Sequence, residues 1–194
     1  VALIYLSNLV ISTLFGYGAF IESDIVATSN ALNIYALAIP AFMLIKVLSP
    51  NFFARQDTKT PVKIAVFCAA INIILSWYLM NKIGYIGIAI SLCISGYINA
   101  LLLFFILIKR RFYKLSNLFF IAFTKIILTT IIMFLSLYIL NKFYLNNYLM
   151  PTKLINIFKL SSFILMGVTI FFSFSYIFGI KSYFTSNSIL NNNK

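Results

Sequence analysis

Long apolar segments separated by short charged stretches constrain this chain more than any other feature. Of its 194 residues, 62% are hydrophobic and only 9% are charged, whereas a soluble domain carries roughly 25% charged residues. A segment of about 20 apolar residues is long enough to cross the hydrocarbon core of a bilayer as a helix. The segments are continuously apolar and lack the period of two that a membrane barrel requires. The sequence therefore predicts an all-α polytopic membrane protein.

Six transmembrane helices are predicted from these segments. They cover about residues 1–20, 31–53, 61–80, 84–108, 118–140 and 157–180, and a polar tail over 185–194 follows this helical region of 1–184. Pro40 should kink the second helix, because proline removes a backbone hydrogen bond and crowds the preceding turn. Thr60 is predicted to cap the third helix, with Pro61 as its first residue. A tight turn is expected at Asn81, Lys82 and Gly84.

The charges in the loops predict the orientation of the chain. The net charge is +12, from 15 basic and 3 acidic residues. Glu22 and Asp24 occupy the first loop without a basic residue. The second and fourth loops hold Arg55, Lys59, Lys63, Lys109, Arg110, Arg111 and Lys114. By the positive-inside rule, these two loops and both chain ends are cytoplasmic. The longer fifth loop is an exception, because it places Lys142, Lys153 and Lys159 outside.

The inventory of reactive side chains argues against an enzyme. The chain has no histidine, and its carboxylates are Glu22, Asp24 and Asp57. Acid–base or metal catalysis needs several such groups to converge. Cys68 and Cys93 lie in apolar segments without metal-ligand spacing, so we expect inert thiols and no cofactor or metal site. Nucleic-acid binding is not expected either, because the basic residues are interleaved with membrane spans.

Several cations and one carboxylate near the second loop are candidate functional residues. Lys46 lies about 10 Å inside the second helix at 1.5 Å per residue. Its ammonium group either reaches back to the headgroups or faces a water-filled cavity and meets an anionic substrate. Arg55 and Lys59 either serve topology or contact a phosphate. Asp57 is either solvated or part of a cytoplasmic hinge, paired with Arg55 or Lys59.

A face of small and polar residues runs along the fourth helix. Gly87, Ser91, Ser95 and Asn99 are spaced by four and therefore share one helical face. Such a face lets two helices approach closely, and the alternative is that it lines a polar cavity. Asn72 of the third helix is a candidate partner across that interface.

Aromatic and aliphatic residues dominate the fifth and sixth helices, as in FFIAF and IFFSFSYIF. Their bulk is typical of a lipid-facing surface, and the alternative is a groove for a long apolar tail. Lys125, near the start of the fifth helix, is expected to anchor it at the membrane interface.

Three segments between Leu14 and Ile64 resemble a known family. LFGYGAF, ATSNAL and IPAFMLIKVLSPNFFARQDTKTPVKI are similar to the C-terminal half of the MurJ/MviN lipid II flippases, members of the multidrug/oligosaccharidyl-lipid/polysaccharide exporter superfamily. The resemblance implies fourteen helices in two lobes around a central cavity, of which this chain resembles the last six. It also implies a bacterial inner-membrane protein that moves lipid II, the undecaprenyl-pyrophosphate-linked peptidoglycan precursor, to the outer leaflet by alternating access.

The resemblance also implies which functional parts this chain holds and which lie in the N-terminal lobe. The family's essential cationic residues lie mostly in the N-terminal lobe, and its last two helices hold the polyprenyl tail in a groove. The chain opens on Val1 inside an apolar run, so we expect the C-terminal piece of a longer protein, inactive without that lobe. Its expected partners are lipid II, membrane lipid and the missing lobe, with Lys46, Arg55, Asn72 and Asn99 as substrate-pathway candidates.

Two alternatives to a lipid II flippase remain at this stage. One is another exporter of the superfamily, for drugs or other polysaccharide lipids, which the ARQDTKTPVK run disfavours. The other is a membrane interaction protein without transport activity, or an inert gene fragment.

Overall fold

Helices account for all the regular structure that is described. The computed structural model describes residues 1–111, 117–145 and 153–178. In chain order the helices are α1 (Ala2–Tyr5), α2 (Ser7–Phe15), α3 (Glu22–Phe53), α4 (Lys59–Ile83), α5 (Tyr85–Lys109), α6 (Asn117–Leu145) and α7 (Lys153–Ile177). Each of the five helices α3 to α7 contains a stretch long and apolar enough to cross a membrane. The predicted class, an all-α polytopic membrane protein, is confirmed.

The chain divides into two compact units. The terminal unit comprises Val1–Gly16 and Leu115–Lys194, and it contains α1, α2, α6 and α7. The central unit comprises Tyr17–Lys114, and it contains α3, α4 and α5. The segment predicted as the first span forms two short helices of the terminal unit, which meet at the buried Leu6.

In the central unit, α5 packs against both α3 and α4. Its core cluster consists of Leu48, Phe52, Ile64, Cys68, Leu103 and Leu107. Phe52 and Leu107 have no exposed surface. This cluster joins the end of α3, the start of α4 and the end of α5, so it lies directly beneath the loop that connects α3 and α4.

The small-residue face of α5 brings it against α4, as predicted. Gly87, Ser91 and Ser95 are all buried. A Cβ atom built on Gly87 would lie 2.5 Å from the carbonyl carbon of Leu79, so the two backbones are in contact there. Gly84 makes the turn between the helices alone, with φ at 69°. The prediction of a three-residue turn was wrong, because Asn81 and Lys82 continue the last turn of α4.

The start of α3 lies nine residues earlier than the sequence predicted. Glu22 and Asp24 are in its first turn rather than in a loop. A carboxylate is stabilising there because the helix dipole is positive at this end, and Asp24 Oδ2 accepts the Ile21 N–H at 3.2 Å. Ser29 donates its hydroxyl to the carbonyl of Ile25 at 2.6 Å. Two of the polar residues that suggested a loop, Asp24 and Ser29, therefore form hydrogen bonds at the start of α3 and within it.

The prolines of α3 do not end it. Pro40 and Pro50 both lie inside the helix, and the kink at Pro40 stays a prediction.

The predicted fifth loop was too long. Lys142 belongs to α6, and Lys153 and Lys159 belong to α7. Lys114 and the tail over 185–194 lie outside the described residues.

In the terminal unit, Leu6, Leu137 and Phe163 form the buried core. Asn141 of α6 donates to the Tyr5 hydroxyl at 2.7 Å. The Tyr5 ring also packs edge-on against Phe134. These contacts join α1 to α6 within the unit.

Candidate functional site

The loop between α3 and α4 has a defined backbone structure. The N–H of Asp57 donates to the carbonyl of Phe52 at 3.1 Å, and the N–H of Gln56 donates to the carbonyl of Phe53 at 2.9 Å. Gln56 has a left-handed φ of 59°. This pair of bonds around a left-handed residue is the Schellman motif, which ends a helix by satisfying its last carbonyls. The loop is therefore anchored on Phe52, a fully buried residue.

Asp57 binds groups from two helices. Its Oδ1 accepts the backbone N–H of Thr60 at 3.0 Å, and its Oδ2 accepts the Thr60 hydroxyl at 2.7 Å. The guanidinium group of Arg110, at the end of α5, forms an ion pair with the same carboxylate. Arg110 also donates to the Thr60 hydroxyl oxygen at 3.2 Å. We call Asp57, Thr60 and Arg110 the loop clamp.

The loop clamp corrects the predicted start of α4 and adds a partner for Asp57. The helix α4 begins at Lys59, and its free N–H at Thr60 is accepted by Asp57. Thr60 therefore receives the cap instead of providing it, because a carboxylate is the stronger acceptor for a helix N-terminus. For Asp57 the structure shows a partner that was not predicted: Arg110, 53 positions away, for which the sequence predicted a topological role.

The environment of Asp57 favours its ionised form. Hydrogen bonds from the Thr60 side chain and backbone lower the pKa of Asp57 most, and Arg110 lowers it further through its hydrogen bond and charge. Partial burial acts in the opposite direction. The carboxylate is therefore charged at neutral pH, and the clamp joins the α3–α4 loop, the start of α4 and the end of α5.

The other predicted cations are exposed. Lys46 lies on the surface of α3, about two turns before its last residue. Arg55 lies within the Schellman loop. Four more of the cations predicted to orient the chain are also exposed: Lys59, Lys63, Lys109 and Arg111. Both interpretations of Lys46 remain compatible with this position.

Asn72 is connected to α5 through Ser76, which was not among the predicted site residues. The one hydrogen of the Ser76 hydroxyl is shared between Asn72 Oδ1, which lies 3.2 Å away, and the oxygen of the Ser91 hydroxyl. Ser91 donates to the carbonyl of Ile88 at 2.8 Å. Ser76 follows Asn72 by one helical turn, so spacing alone could have identified it. The buried Oδ1 of Asn99 has no hydrogen-bond partner among the described residues.

The terminal unit contains an apolar groove of about 400 Å³. Its lining comes from α1, α2, α6 and α7: Ala2, Leu3, Leu6, Val10, Met133, Phe163, Ile164, Gly167, Val168, Phe171 and Phe172. Beyond one end of it, the ammonium group of Lys125 donates to the carbonyl of Phe178 at 2.9 Å. Lys125 therefore joins α6 to the end of α7, where a cation complements the helix dipole.

Comparison with known proteins identifies the family. The sequence model described as "Lipid II flippase MurJ" matches residues 1–159. The chain belongs to the MurJ lipid II flippase family. The probable lipid II flippase MurJ of Rickettsia prowazekii is 32% identical over 181 residues, which are 93% of this chain and 36% of the relative. That of Buchnera aphidicola (subsp. Acyrthosiphon pisum) is 30% identical over 96% of this chain and 34% of the relative.

A solved MurJ structure has the same fold over most of the chain. It is described as lipid II flippase MurJ in an inward closed conformation, with a TM-score of 0.70 and 29% sequence identity. The similarity covers 91% of this chain and 34% of that chain. The chain thus spans about a third of the length of the MurJ proteins it matches, and it is a multi-pass membrane protein of that family.

Proposed function

We propose that this chain is the C-terminal part of a lipid II flippase, which moves the lipid-linked peptidoglycan precursor across the bacterial inner membrane by alternating access. The match to the MurJ family over residues 1–159 carries this proposal. Transport, rather than catalysis, is the activity. Because the chain covers about a third of its relatives, it works together with the N-terminal lobe and is inactive without it.

Each unit has a separate role in this proposal. The exposed ammonium group of Lys46 contacts the pyrophosphate of the substrate, assisted by Arg55. The apolar groove of the terminal unit holds part of the polyprenyl tail, because its lining is almost entirely hydrocarbon and an apolar chain gains free energy when it leaves water or fills a packed groove. The loop clamp lies on the cytoplasmic side, as do both chain ends.

A chimera tests the assignment to a flippase. This chain is fused behind the N-terminal two thirds of a working MurJ, in place of that protein's own C-terminal part, in cells depleted of their flippase. We expect the chimera to restore growth and the appearance of labelled lipid II at the outer surface. The N-terminal part alone and this chain alone are the controls, and neither should restore transport. A chimera that reaches the membrane intact but moves no lipid II would contradict the proposal.

Charge removal in the chimera tests the pyrophosphate contact. A hydrogen bond to a charged group contributes about 1.5–3 kcal/mol, so Lys46→Ala should reduce transport by about tenfold or more. Arg55→Ala is tested in parallel, and Lys82→Ala, an exposed lysine at the other end of α4, is the matched control. Full transport in both Lys46→Ala and Arg55→Ala would leave these cations a topological role only.

A matched pair of tryptophan substitutions tests the groove. Val168 lines the groove, whereas Leu165, on the same helix, does not and is 64% exposed. Val168→Trp should fill the space for the tail and reduce transport, whereas Leu165→Trp should leave it unchanged. Equal transport in the two variants, at equal amounts in the membrane, would argue that the groove does not hold the tail.

A further inference from the structure

The helix α3 passes through Pro40 without ending, which leaves a local backbone problem. Proline has no N–H, so the carbonyl of Ala36 loses its donor, and the ring crowds the same turn. Within a membrane, water does not satisfy such carbonyls, and neighbouring side chains have to do so. Pro40 lies inside the apolar part of α3. The turn from Ala36 to Pro40 therefore needs support from outside the helix.

A tyrosine from α5 supplies a donor at this turn. The Tyr97 hydroxyl donates to the carbonyl of Leu37 at 3.0 Å, across 60 positions of sequence. Leu37 precedes Pro40 by three residues and so belongs to the disrupted turn. A carbonyl oxygen has two lone pairs, so it can accept this bond in addition to a bond within the helix.

Small residues of α3 and α5 are in contact at the same level. Ala38 and Ala41, on either side of Pro40, are 1% and 0% exposed. A Cβ atom built on Gly96, the neighbour of Tyr97, would lie 3.7 Å from the Cβ of Ala41. Small residues therefore bring α5 against α3 at the proline, and they hold the Tyr97 hydroxyl within hydrogen-bond distance of the turn from Ala36 to Pro40.

The part of α3 after the proline is held by the core. Leu48 and Phe52 pack in the same cluster as Leu103 and Leu107 of α5. A change of bend at Pro40 would therefore move the earlier part, from Glu22 to Ile39, relative to α4 and α5. We propose that Pro40 is a hinge of α3 and that the Tyr97 hydroxyl is the latch that holds it in one bend.

The expected displacement is large enough to measure. Val26 lies fourteen residues before Pro40, or about 21 Å along the helix at 1.5 Å per residue. A change in bend of about 10° would move it by about 4 Å, since this is 21 Å multiplied by the angle in radians. Ile74 on α4 is 67% exposed and Val26 is 48% exposed, so both positions accept spin labels without disturbing the core.

The experiment measures the distance between labels at V26C and I74C by pulsed electron paramagnetic resonance. The full chain is held in lipid nanodiscs, with Cys68 and Cys93 replaced by alanine. Tyr97→Phe removes the hydroxyl and keeps the ring, and we expect it to shift or broaden the distance distribution by about 4 Å. Tyr78→Phe, an exposed tyrosine of α4, is the matched control and should leave the distribution unchanged.

A pair of variants without the proline distinguishes a latch on the hinge from a general packing effect of Tyr97. Pro40→Ala restores the N–H that bonds to the Ala36 carbonyl and removes the ring that crowds the turn, so the helix has no hinge there for Tyr97 to hold. Adding Tyr97→Phe to Pro40→Ala should then produce no further change in the distance. An unchanged distribution in Tyr97→Phe alone would overturn the proposal, and so would an equal effect of Tyr97→Phe with and without the proline.

Discussion

Adding one methyl group at Gly87 should separate α4 from α5. The new Cβ atom would lie 2.5 Å from the carbonyl carbon, 2.6 Å from the carbonyl oxygen and 2.8 Å from the Cβ atom of Leu79. Ordinary contacts between carbon atoms are about 3.5–4.0 Å. Two of the three atoms belong to the backbone and cannot rotate away. The helices therefore have to move apart by about 1 Å, which is the difference between these distances.

The magnitude follows from two opposing terms. Overpacking of this kind costs about 1–3 kcal/mol, and the displacement also strains the hydrogen bond between the Ser76 and Ser91 hydroxyls, one turn further along. Alanine is favoured over glycine inside a helix by about 0.5–1 kcal/mol. We expect Gly87→Ala to lower the free energy of unfolding by about 1–2 kcal/mol.

Gly96→Ala is the matched control on the same helix. Its Cβ atom would lie 3.5 Å from Cζ of Phe42 and 3.7 Å from Cβ of Ala41, which are ordinary contacts. Only the helix-propensity term remains, so this variant should be as stable as the parent or more stable by up to about 1 kcal/mol. Both changes add the same methyl group to α5, so the comparison isolates the steric effect.

Equilibrium unfolding in mixed detergent, followed by the fluorescence of Trp77, measures both variants. Trp77 is the one tryptophan of the chain, and it lies beside Ser76 on α4. Equal stability changes in Gly87→Ala and Gly96→Ala would refute the steric reasoning. A Gly87→Ala variant more stable than the parent would show that α4 and α5 separate at little cost.

Three further changes test the loop between α3 and α4. Because the pKa of Asp57 is lowered, its ionised form stabilises the fold fully above its ordinary pKa of 3.8, and this stabilisation is lost as the pH falls through the lowered pKa. Asp57→Asn should remove this loss of stability in acid, which is measured as the unfolding midpoint at a series of pH values. Gln56→Gly should raise the free energy of unfolding by up to about 1 kcal/mol, because glycine adopts a left-handed φ without steric cost, and a lower value would contradict the Schellman assignment. Phe52→Ala should cost about 3–5 kcal/mol in the same denaturation assay, and a loss under 1 kcal/mol would mean that the cavity collapses.

Local patterns were sufficient to predict the fold class and one interface. Apolar segment length predicted helices α3 to α7, with errors at their ends, because a membrane accepts few other structures. Four-residue spacing predicted the buried face of Gly87, Ser91 and Ser95. The start of α3 was missed because Asp24 and Ser29 satisfy their hydrogen bonds inside the helix, and composition alone does not distinguish this from a loop.

The candidate site depended mostly on contacts between distant residues. The position of Asp57 in a cationic loop can be read from the sequence, whereas its ion pair with Arg110 depends on the packing of the three helices. The Tyr97 bond to Leu37 and the groove of the terminal unit are also contacts between separate helices. Periodicity and capping act within a few residues, whereas a contact across 53 positions depends on how α3, α4 and α5 pack.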